Sequence, residues 1–446
     1  MKKNKDFLSS KKVAIIGAGA SGLSCGDLLS ERGIEVDIYE KSNQLGGLAT
    51  SSKLTKGSID TFYHHLFETD KYILDFIKKN RLNQKISFKK AITGHIYDDK
   101  YFDISNIKKL YFSGLLNNYS FLRVLIGGAL IKYFPAFFNL ENQFLYSILD
   151  NLFGKDASNK IWKPLLVSKF GKYSKVIPYS WLKARIKDRS IKLGYAKGGF
   201  IEIYKFLFKK IKKSKGNIFL NYEVNKIIKD DNSGSLIIDN KKYDKIVVTT
   251  SPNINKKLLK ELDYSCSKIA YLGALCGIIE FSKRPVPSYW IGITPDKKSK
   301  KDYNNFLALI SYAELDEEWN KQGTPTWPVY LAAYLTKKEF YQYSQNEWKE
   351  KIINAIHEIS YMTLKDKAVS KSDILNVQFS YADYAQPIIS PSYSLLPNPE
   401  SAKLTYFANM HNIYPNDRGQ NRAFYRGEEV AKQIINDFIK EHKYLK

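Results

Sequence analysis

The sequence predicts an α/β protein in which a Rossmann-like nucleotide-binding domain is interleaved with a mixed α+β domain. Three observations predict this fold class. Residues 13–47 have a strand, a glycine turn, a helix and a second strand in the order of a βαβ unit. Strand and helix patterns that extend the same sheet recur in the middle and at the end of the chain. With 446 residues and 44% hydrophobic content, the chain is long enough for two structural regions, each with its own core.

The βαβ unit begins with a predicted strand, Val13–Ile16, and ends with a second one, Glu35–Tyr39. The turn between the first strand and the helix has the spacing GxGxxG, with glycines at Gly17, Gly19 and Gly22. In this order they permit a tight turn, close approach of the backbone to a pyrophosphate, and close packing of helix on strand. Ala20 and Ser21 begin the helix, whose positive end is expected to face phosphate groups.

An acidic residue, Glu40, follows the second strand directly. At this position a carboxylate can accept hydrogen bonds from the hydroxyl groups of a ribose. Because strand, turn, helix, second strand and acid all agree, the sequence predicts a dinucleotide site and not merely a glycine-rich turn.

The residues after Glu40 indicate which dinucleotide is bound. Lys41 is followed, after four residues, by Gly46 and Gly47. This EKxxxxGG continuation resembles that of the superfamily of FAD-dependent amine oxidases, protoporphyrinogen oxidases, phytoene desaturases and UDP-galactopyranose mutases. The resemblance implies bound FAD, with the paired glycines folding the loop back under its pyrophosphate and ribityl chain. The sequence departs from the superfamily at Leu48, where a basic residue is usual, so one phosphate or flavin contact is not expected here.

Two later stretches are predicted to return to the first domain. A predicted helix, Ile201–Lys213, is followed by a predicted strand, Asn217–Ile228, with Val224 near its end, and by a further strand, Lys245–Thr250. This order resembles the middle part of the FAD superfamily. The resemblance implies that Val224 contacts the adenine side through backbone groups and that Thr250 lies near the nucleotide at a strand end.

These returns predict two interleaved domains. The FAD-binding domain is expected to comprise residues 1–58, 192–255 and 381–446. The substrate domain is expected to comprise residues 59–191, which are largely helical in pattern from 104 to 190, and residues 256–380. Within the second part, the predicted elements of an antiparallel sheet and its helix are Leu272–Phe281, Val329–Thr336 and Glu347–Met362.

The C-terminal segment is the second candidate for cofactor contact. A predicted strand, Leu404–Asn409, and a loop precede a predicted helix, Arg426–Lys440. The resemblance implies that this loop closes over the flavin, with Asn409 and Met410 at the strand end and Ala423 at the start of the helix. Two charged residues of the loop are also candidates: Asp417 as an acceptor from a ribityl hydroxyl, and Arg418 as a forked donor to a phosphate or carboxylate. The alternative is that Asp417 caps a helix beside surface arginines.

A histidine segment, Phe62–Asp70, resembles the GxHxFHT segment of UDP-galactopyranose mutases. The resemblance places His65 beside the isoalloxazine ring, where a near-neutral imidazole can hydrogen-bond the ring and tune its redox state. The alternative is a core histidine. The catalytic candidates on the flavin face are therefore His65 and Arg418.

Another segment, Trp162–Arg189, resembles the WxPLLxxKFG stretch of bacterial protoporphyrinogen-oxidase-like proteins. Arg185 and Arg189 lie four residues apart, on one face of a predicted helix. They predict either a site for a diphosphate or head group, or a solvated helix face. Amine oxidases of the superfamily usually carry a lysine near position 276, where this chain has Cys276 or the glycine after it. Amine oxidation in that style is therefore not expected.

The composition indicates which classes of molecule the protein is expected to bind. The formal net charge is +25, yet only nine of the 70 basic residues are arginine and the lysines are scattered. Nucleic acid is therefore not expected as a partner, whereas anionic substrates or anionic lipid head groups are. The three cysteines, Cys25, Cys266 and Cys276, suit neither a disulfide framework nor a metal site.

The sequence thus predicts a cytoplasmic FAD-dependent oxidoreductase that removes a hydride or electrons from a small-molecule or lipid-like substrate. The main alternative is a redox-neutral enzyme, similar to UDP-galactopyranose mutase, that uses reduced FAD on a nucleotide sugar or lipid-linked sugar. A third is a flavin-binding assembly partner without turnover. The most apolar run, Val124–Ile131, is too short to span a bilayer. It predicts either a buried helix or peripheral contact with the inner face of an anionic membrane.

Overall fold

Strands and helices are mixed along the whole chain. The computed structural model describes residues 2–134, 140–141, 143–214, 216–230, 232–262, 269–294, 300–316, 318–321, 325–391 and 404–444. In chain order its strands are β1 (Lys12–Ile16), β2 (Glu35–Tyr39), β3 (Ser51–Lys53), β4 (Ser58–Asp60), β5 (Leu66–Phe67), β6 (Ile86–Lys90), β7 (Thr93–Tyr97), β8 (Lys100–Asp103), β9 (Lys192–Ala196), β10 (Gly216–Phe219), β11 (Ile228–Lys229), β12 (Leu236–Ile238), β13 (Lys241–Tyr243), β14 (Lys245–Val248), β15 (Tyr271–Phe281), β16 (Trp290–Ile293), β17 (Ala308–Ser311), β18 (Trp327–Leu335), β19 (Ile374–Pro387) and β20 (Thr405–Phe407).

The helices follow the same order. They are α1 (Lys2–Ser9), α2 (Ala20–Glu31), α3 (Lys71–Lys79), α4 (Ile107–Phe112), α5 (Asn118–Tyr133), α6 (Leu145–Phe153), α7 (Lys155–Ala157), α8 (Lys163–Phe170), α9 (Tyr179–Asp188), α10 (Ile201–Lys213), α11 (Pro252–Leu258), α12 (Glu318–Lys321), α13 (Lys337–Phe340), α14 (Gln345–Leu364) and α15 (Gln420–Tyr444).

The first sheet takes its strands from three separated stretches of the chain. Its order is β10-β2-β1-β14-β20, and every neighbouring pair is parallel. The strands are almost entirely buried, because α2 packs on the sheet with α10 and α15 beside it. In a parallel sheet all the carboxyl ends meet at one edge, which is where such folds bind ligands. The α/β fold class predicted from the sequence is confirmed.

The helix predicted over Ile201–Lys213 is confirmed as α10, but the strand predicted over Asn217–Ile228 is wrong. The strand ends at Phe219, because the next residues bond to the loop after β2 and leave the sheet. Asn221 adopts a positive φ of 54°, and its N–H donates to the carbonyl of Ser42. Val224 therefore lies in a loop.

The second sheet has seven strands in the order β19-β15-β18-β17-β16-β7-β8. All neighbouring pairs are antiparallel except β16 and β7. Its apolar face packs against α14, with Ile352 and Ile356 fully buried in the contact. The expected domain boundary at residue 381 falls inside β19, which remains paired with β15 as far as Pro387.

A helical layer formed by α5, α6, α8 and α9 has its own apolar core. The apolar run Val124–Ile131 lies in α5, which buries Gly127 and Ile131 and exposes Leu122 and Ile126. No helix among the residues described above is both long and apolar enough to cross a bilayer.

Asp60, at the end of β4, links the start of α10 and strand β9 to the second sheet. Its carboxylate accepts from the backbone N–H of Phe200 at 2.9 Å and from the hydroxyl of Tyr195 at 3.3 Å, and its carbonyl accepts from the hydroxyl of Tyr330 at 2.6 Å. Complete burial raises the pKa of Asp60 to about 8. These bonds hold the start of α10 and β9 close to β18 of the second sheet.

Candidate functional site

The glycine turn after β1 leaves an open space at the carboxyl edge of the first sheet. Gly17 has a φ of 104°, and a Cβ there would come within 2.3 Å of Thr249 Oγ1. A Cβ on Gly22 would come within 1.9 Å of the Gly17 carbonyl oxygen, so the helix packs directly on the turn. A Cβ on Gly19 would meet no protein atom closer than 3.8 Å and would project into a cavity.

Glu40 fixes the turn and the following loop together. One carboxylate oxygen accepts from the Ala18 N–H at 2.8 Å, and the other accepts from the Ser42 N–H at 2.9 Å. Glu40 also lines the cavity, so its remaining lone pairs face that space. The side chain therefore does more than the sequence predicts, because it also organises the backbone on both sides of β2.

The loop after Glu40 folds back onto the turn. Gly46 and Gly47 have φ angles of 109° and 61°, and the Gly46 N–H donates to the Ala18 carbonyl at 2.9 Å. Positive φ at two consecutive residues is compatible with glycine and unfavourable for other residues. This arrangement brings the loop backbone to the cavity wall opposite Gly19.

These elements enclose a cavity of about 650 Å³, which we call the larger cavity. The N-termini of two helices reach it, through Ala20 and Ser21 of α2 and through Gln420 and Ala423 of α15. Helix N-termini carry unpaired N–H groups and partial positive charge, which suit phosphate groups. The wall also includes residues that the sequence analysis did not select: Tyr222, Glu223, Asn253, Ile254, Lys257, Tyr384, Ile413 and Gln420.

Most of the predicted cofactor residues line this larger cavity. They are Gly17, Gly19, Ala20, Ser21, Glu40, Lys41, Gly46, Gly47, Val224, Thr250, Met410 and Ala423. Ala423 lies inside the first turn of α15, because that helix begins at Gln420, six residues earlier than predicted.

Three predicted cofactor residues lie elsewhere. Gly22 packs under the turn. Asn409 is buried, and its side-chain amide donates to the Thr250 carbonyl, so it ties β20 to the end of β14. Asp417 lines a different cavity and forms an ion pair with Arg185 at 3.3 Å. Its predicted contact with a ribityl hydroxyl is therefore not supported by its position.

A second, smaller cavity of about 180 Å³ adjoins the larger one, and we call it the inner cavity. The two share a wall formed by Leu48, His64, Arg418, Gly419 and Gln420. The inner cavity is otherwise lined by aromatic and charged side chains from the second sheet, from α8 and α9, and from the loop before α15. Of the residues on this cavity, the sequence analysis selected the segment Phe62–Asp70 with His65, the pair Arg185 and Arg189, and Asp417 with Arg418. The aromatic residues of the second sheet gave no signal, because they come from distant segments.

The two neighbouring histidines occupy different places. His64 lies on the shared wall, and its Nδ1 is 2.7 Å from the Phe62 carbonyl oxygen, which requires a proton on Nδ1. His65, the predicted residue, lies only on the inner cavity, with Nδ1 3.2 Å from the Tyr289 hydroxyl. Burial lowers the pKa of His64 to about 4 and that of His65 to about 3. Both imidazoles are therefore neutral near pH 7, and the neutral His64 has its Nε2 free to accept a hydrogen bond.

Arg418 lies on the shared wall. Its Nε donates to Gln386 Oε1 at 2.8 Å, and one terminal nitrogen donates to the Tyr334 hydroxyl. Both acceptors are neutral, so the guanidinium charge remains available to a bound group at the junction of the two cavities.

The larger cavity fits a flavin nucleotide by its own construction. A cradle of N–H donors for phosphate oxygens is formed by three features. They are the space that Gly19 leaves open because it has no Cβ, the two helix N-termini, and the glycine loop that folds back onto the turn. The shared wall then sets the far end of that cradle against the inner cavity, where a reacting ring and a substrate can meet.

Comparison with known proteins agrees with this geometry. The sequence profile of flavin-containing amine oxidoreductases matches residues 20–435. The fold is similar to that of a protein named as a protoporphyrinogen oxidase from Exiguobacterium sp. 255-15, with a TM-score of 0.71 and 13% identity over 96% of this chain and 99% of that one. It is also similar to reduced UDP-galactopyranose mutase, with a TM-score of 0.71 and 15% identity over 96% and 94% of the two chains. For a putrescine oxidase the values are 0.65 and 12% over 96% and 99%.

Curated relatives match only a short stretch. The oxidoreductase named UacF of Escherichia coli is 46% identical over 41 residues, which is 9% of this chain and 6% of that protein. The glutamate synthase [NADPH] small chain of Bacillus subtilis is 41% identical over 54 residues, or 11% of each chain. The profile match covers most of the chain, and the fold and the cradle agree with it, so this protein is a flavin-dependent oxidoreductase. The chain belongs to the flavin-containing amine oxidoreductase family.

Proposed function

We propose that the flavin is FAD and that the enzyme oxidises a substrate bound in the inner cavity. The observation that carries this proposal is the junction of the two cavities at His64 and Arg418. The larger cavity extends from Tyr222 and Val224 past Gly19 to that junction. A mononucleotide would leave one end of this space unused, whereas a dinucleotide has a nucleoside for each end.

The roles of the residues follow from their places. The glycine turn and the N-termini of α2 and α15 hold the pyrophosphate, and Glu40 accepts from the adenosine ribose. When bound, the flavin supplies the electron acceptor for a hydride from the substrate. His64 offers a hydrogen-bond acceptor at the shared wall without adding charge, and Arg418 supplies a fixed positive charge beside it.

The wall of the inner cavity orients the substrate and limits the access of water. Tyr63 and Trp290 meet edge to face at 5.5 Å, and Tyr334 lies under the guanidinium of Arg418 at 5.2 Å. This aromatic surface is suited to hold a flat or apolar part of a substrate next to the shared wall.

One observation favours a second candidate function. The inner cavity has more cationic than acidic side chains, which suits the diphosphate of a nucleotide sugar or a lipid-linked sugar. A redox-neutral mutase of this kind would need reduced flavin and would leave the oxidation state of its substrate unchanged.

Anaerobic spectroscopy separates the two functions. Purified protein loaded with FAD is mixed with polyene, porphyrinogen, amine and nucleotide-sugar candidates, first oxidised and then after reduction with dithionite. An oxidoreductase predicts bleaching of the oxidised flavin by one substrate class, together with a product oxidised by two electrons. Turnover of a nucleotide sugar only after prior reduction, with no net oxidation, would replace this proposal by the mutase.

A further inference from the structure

Lys169 places a buried amino group in the inner cavity without a hydrogen-bond partner among the described residues. It lies in α8 with 5% of its surface exposed, and its side chain lines the cavity. Within the described residues its ammonium group has no carboxylate or other hydrogen-bond acceptor in reach. Its nearest interactions are with aromatic faces: Nζ is 4.9 Å from the ring centre of Tyr334 and 5.9 Å from that of Trp181. A buried ammonium left in this state is costly, unless a bound anion completes the site.

The acidic side chains around the inner cavity are too few to pair with all of its cationic side chains. The lining contains five cationic side chains and three acidic ones: Lys169, Arg185, Arg189, Arg418 and Arg422 against Asp70, Asp188 and Asp417. Two of the arginines have acidic partners, Arg185 with Asp417 at 3.3 Å and Arg422 with Asp188 at 3.2 Å. Arg418 donates to neutral groups only. Among the described residues this leaves Lys169, Arg189 and Arg418 without a carboxylate in ion-pair distance, and of these Arg189 is exposed at the rim.

We propose that the inner cavity binds an oxyanion of the substrate, a phosphate or a carboxylate, between Lys169 and Arg418, and that Lys169 takes up a proton when this anion binds. The inference rests on the proposed function only in taking the inner cavity as the substrate site. It adds the charge class of the substrate, and it disfavours amines, because a cationic amine would be repelled by the same residues.

The proton uptake follows from the surroundings of Lys169. Burial, followed by the like charges of Arg185 and Arg418, lowers its pKa well below the usual range, and Arg189 at the cavity rim acts in the same direction. Asp417 is the acid that opposes this, and it already pairs with Arg185. The facing residue of β18 is the neutral Tyr334. The empty cavity thus favours the neutral amine, whereas a bound anion favours the ammonium.

Calorimetry on the FAD-loaded, full-length protein tests this inference. Pyrophosphate and glutarate are titrated separately, each in two buffers of different ionisation enthalpy, and the visible difference spectrum of the flavin is recorded in parallel. We expect one or both anions to bind with uptake of up to one proton, and to bind more tightly as the pH falls. The arm that binds identifies phosphate or carboxylate as the chemistry. Putrescine, as a dication, should cause no change.

Three variants make the test specific. Lys169→Met keeps the volume of the side chain and removes the buried charge, so it should fold, bind the anion at least tenfold more weakly and take up no proton. Lys169→Arg should retain binding without proton uptake, because a guanidinium stays charged. Lys172→Met removes an exposed lysine three residues away and should behave as wild type.

The outcomes distinguish this inference from the proposed function. If flavin-loaded wild type binds neither anion, or binds without proton uptake, the inference is overturned while the flavin assignment stands. Equal anion binding by Lys169→Met and wild type would also overturn it. If the protein takes up no FAD at all, the result contradicts the proposed function itself.

A second, independent observation concerns the outer face of α4 and α5. Large apolar side chains are exposed along it: Ile107, Tyr111, Phe112, Tyr119, Leu122, Ile126 and Tyr133. The residues from α5 recur at helical spacing on one side, and Tyr111 of α4 contacts Phe121 of α5 with ring centres 5.1 Å apart. The two helices therefore present one continuous surface, which we call the apolar face.

The charge of this segment indicates what covers the apolar face. Residues 104–140 contain no aspartate or glutamate, although the whole chain has 45, and they contain four basic residues. We infer that the apolar face docks on an anionic lipid bilayer, with its aromatic and aliphatic side chains among the head groups. Lys132 donates to the Arg189 carbonyl at 2.9 Å, so the face ends beside the rim of the inner cavity.

Vesicle co-sedimentation tests the membrane contact. The wild-type protein should pellet with vesicles of phosphatidylserine and phosphatidylcholine, and much less with phosphatidylcholine alone. Leu122→Glu combined with Ile126→Glu should reduce the bound fraction at least tenfold while FAD content stays unchanged. Tyr341→Glu, at an exposed aromatic residue after α13, is the matched control and should bind as wild type. Equal pelleting of the double variant and the control would refute the assignment.

Discussion

The larger and inner cavities meet at one wall but are built in different ways. The larger cavity is lined by glycines and other small residues at the turn after β1, at the loop after β2 and at two helix N-termini, and by larger side chains elsewhere. The inner cavity is lined mainly by aromatic and charged side chains from residues 62–70, the second sheet, the helical layer and the loop before α15. In the first, affinity depends on the absence of side chains, and in the second on their identity. Substitutions should therefore separate cofactor binding from substrate chemistry.

The largest expected effect is at Gly19. In Gly19→Val the new side chain enters the larger cavity, where glycine leaves the space open, and displaces the pyrophosphate. We expect the purified variant to contain no flavin and to resist reconstitution with FAD, while its circular dichroism spectrum matches that of wild type. Gly128→Ala, at a helical glycine of α5 with free space around it, is the control and should retain full flavin. Full occupancy in Gly19→Val would refute the cradle.

Replacement of Glu40 should have the next largest effect. Glu40→Ala removes the acceptor of two backbone N–H groups and the predicted ribose contact. Each lost hydrogen bond to a charged group is worth about 1.5–3 kcal/mol, so FAD should bind at least about tenfold more weakly. Fluorescence titration of the apoprotein measures this. Glu35→Gln, at the start of the same strand, should bind FAD as wild type; equal weakening in both variants would point to damage to β2 instead.

Replacement of Arg418 should affect substrate turnover more than FAD binding. Arg418→Gln removes the positive charge from the shared wall and leaves the glycine cradle intact. We expect full flavin content, a more negative flavin reduction potential, and a loss in substrate turnover of about tenfold to a hundredfold, which corresponds to about 1.5–3 kcal/mol. An unchanged potential measured by anaerobic dye equilibration would remove Arg418 from the flavin face.

The smallest expected effect is on the way the free energy of unfolding depends on pH. Burial lowers the pKa of His64 to about 4, below its value of about 6.5 in an unfolded chain, so the folded state favours the neutral ring. Its contribution is complete above about pH 6.5 and is lost as the pH falls towards 4. In urea titrations, the unfolding free energy of His64→Asn should therefore fall less than that of wild type as the pH falls from about 6.5 towards 4. Asp60 contributes to the pH dependence with the opposite sign, but it is present in both proteins, so its contribution cancels when the variant is compared with wild type. An identical pH dependence in both proteins would contradict a buried neutral His64.

The two cavities also differ in how far the sequence could predict them. The glycines, Glu40 and the loop to Gly47 are close together in the chain, so their spacing predicted the part of the larger cavity's wall that the turn after β1 and the loop after β2 form. Val224 was also placed on that wall, although the strand predicted around it does not form. The fold class and the family were predicted from the same motifs and are confirmed.

The inner cavity was largely beyond prediction. Lys169, Tyr334 and Arg418 come from α8, β18 and the loop before α15, and no local pattern indicates that these elements converge. The histidine pair was found, but which of the two faces the shared wall depends on side-chain direction in a short loop. The position of Asp417 on the inner cavity could not be foreseen, because its ion pair with Arg185 joins residues more than 200 positions apart. The roles assigned to individual residues stay predictions, as do the domain boundaries.

The central claim is that FAD occupies the larger cavity with its ring end at the wall shared with the inner cavity. The most direct measurement is the visible absorbance spectrum of the purified protein, with pyrophosphate or glutarate added and the released cofactor identified by mass. The account predicts one FAD per chain and a shift of the flavin bands when the anion fills the inner cavity. A protein that holds no flavin, even after reconstitution with FAD, would contradict the account.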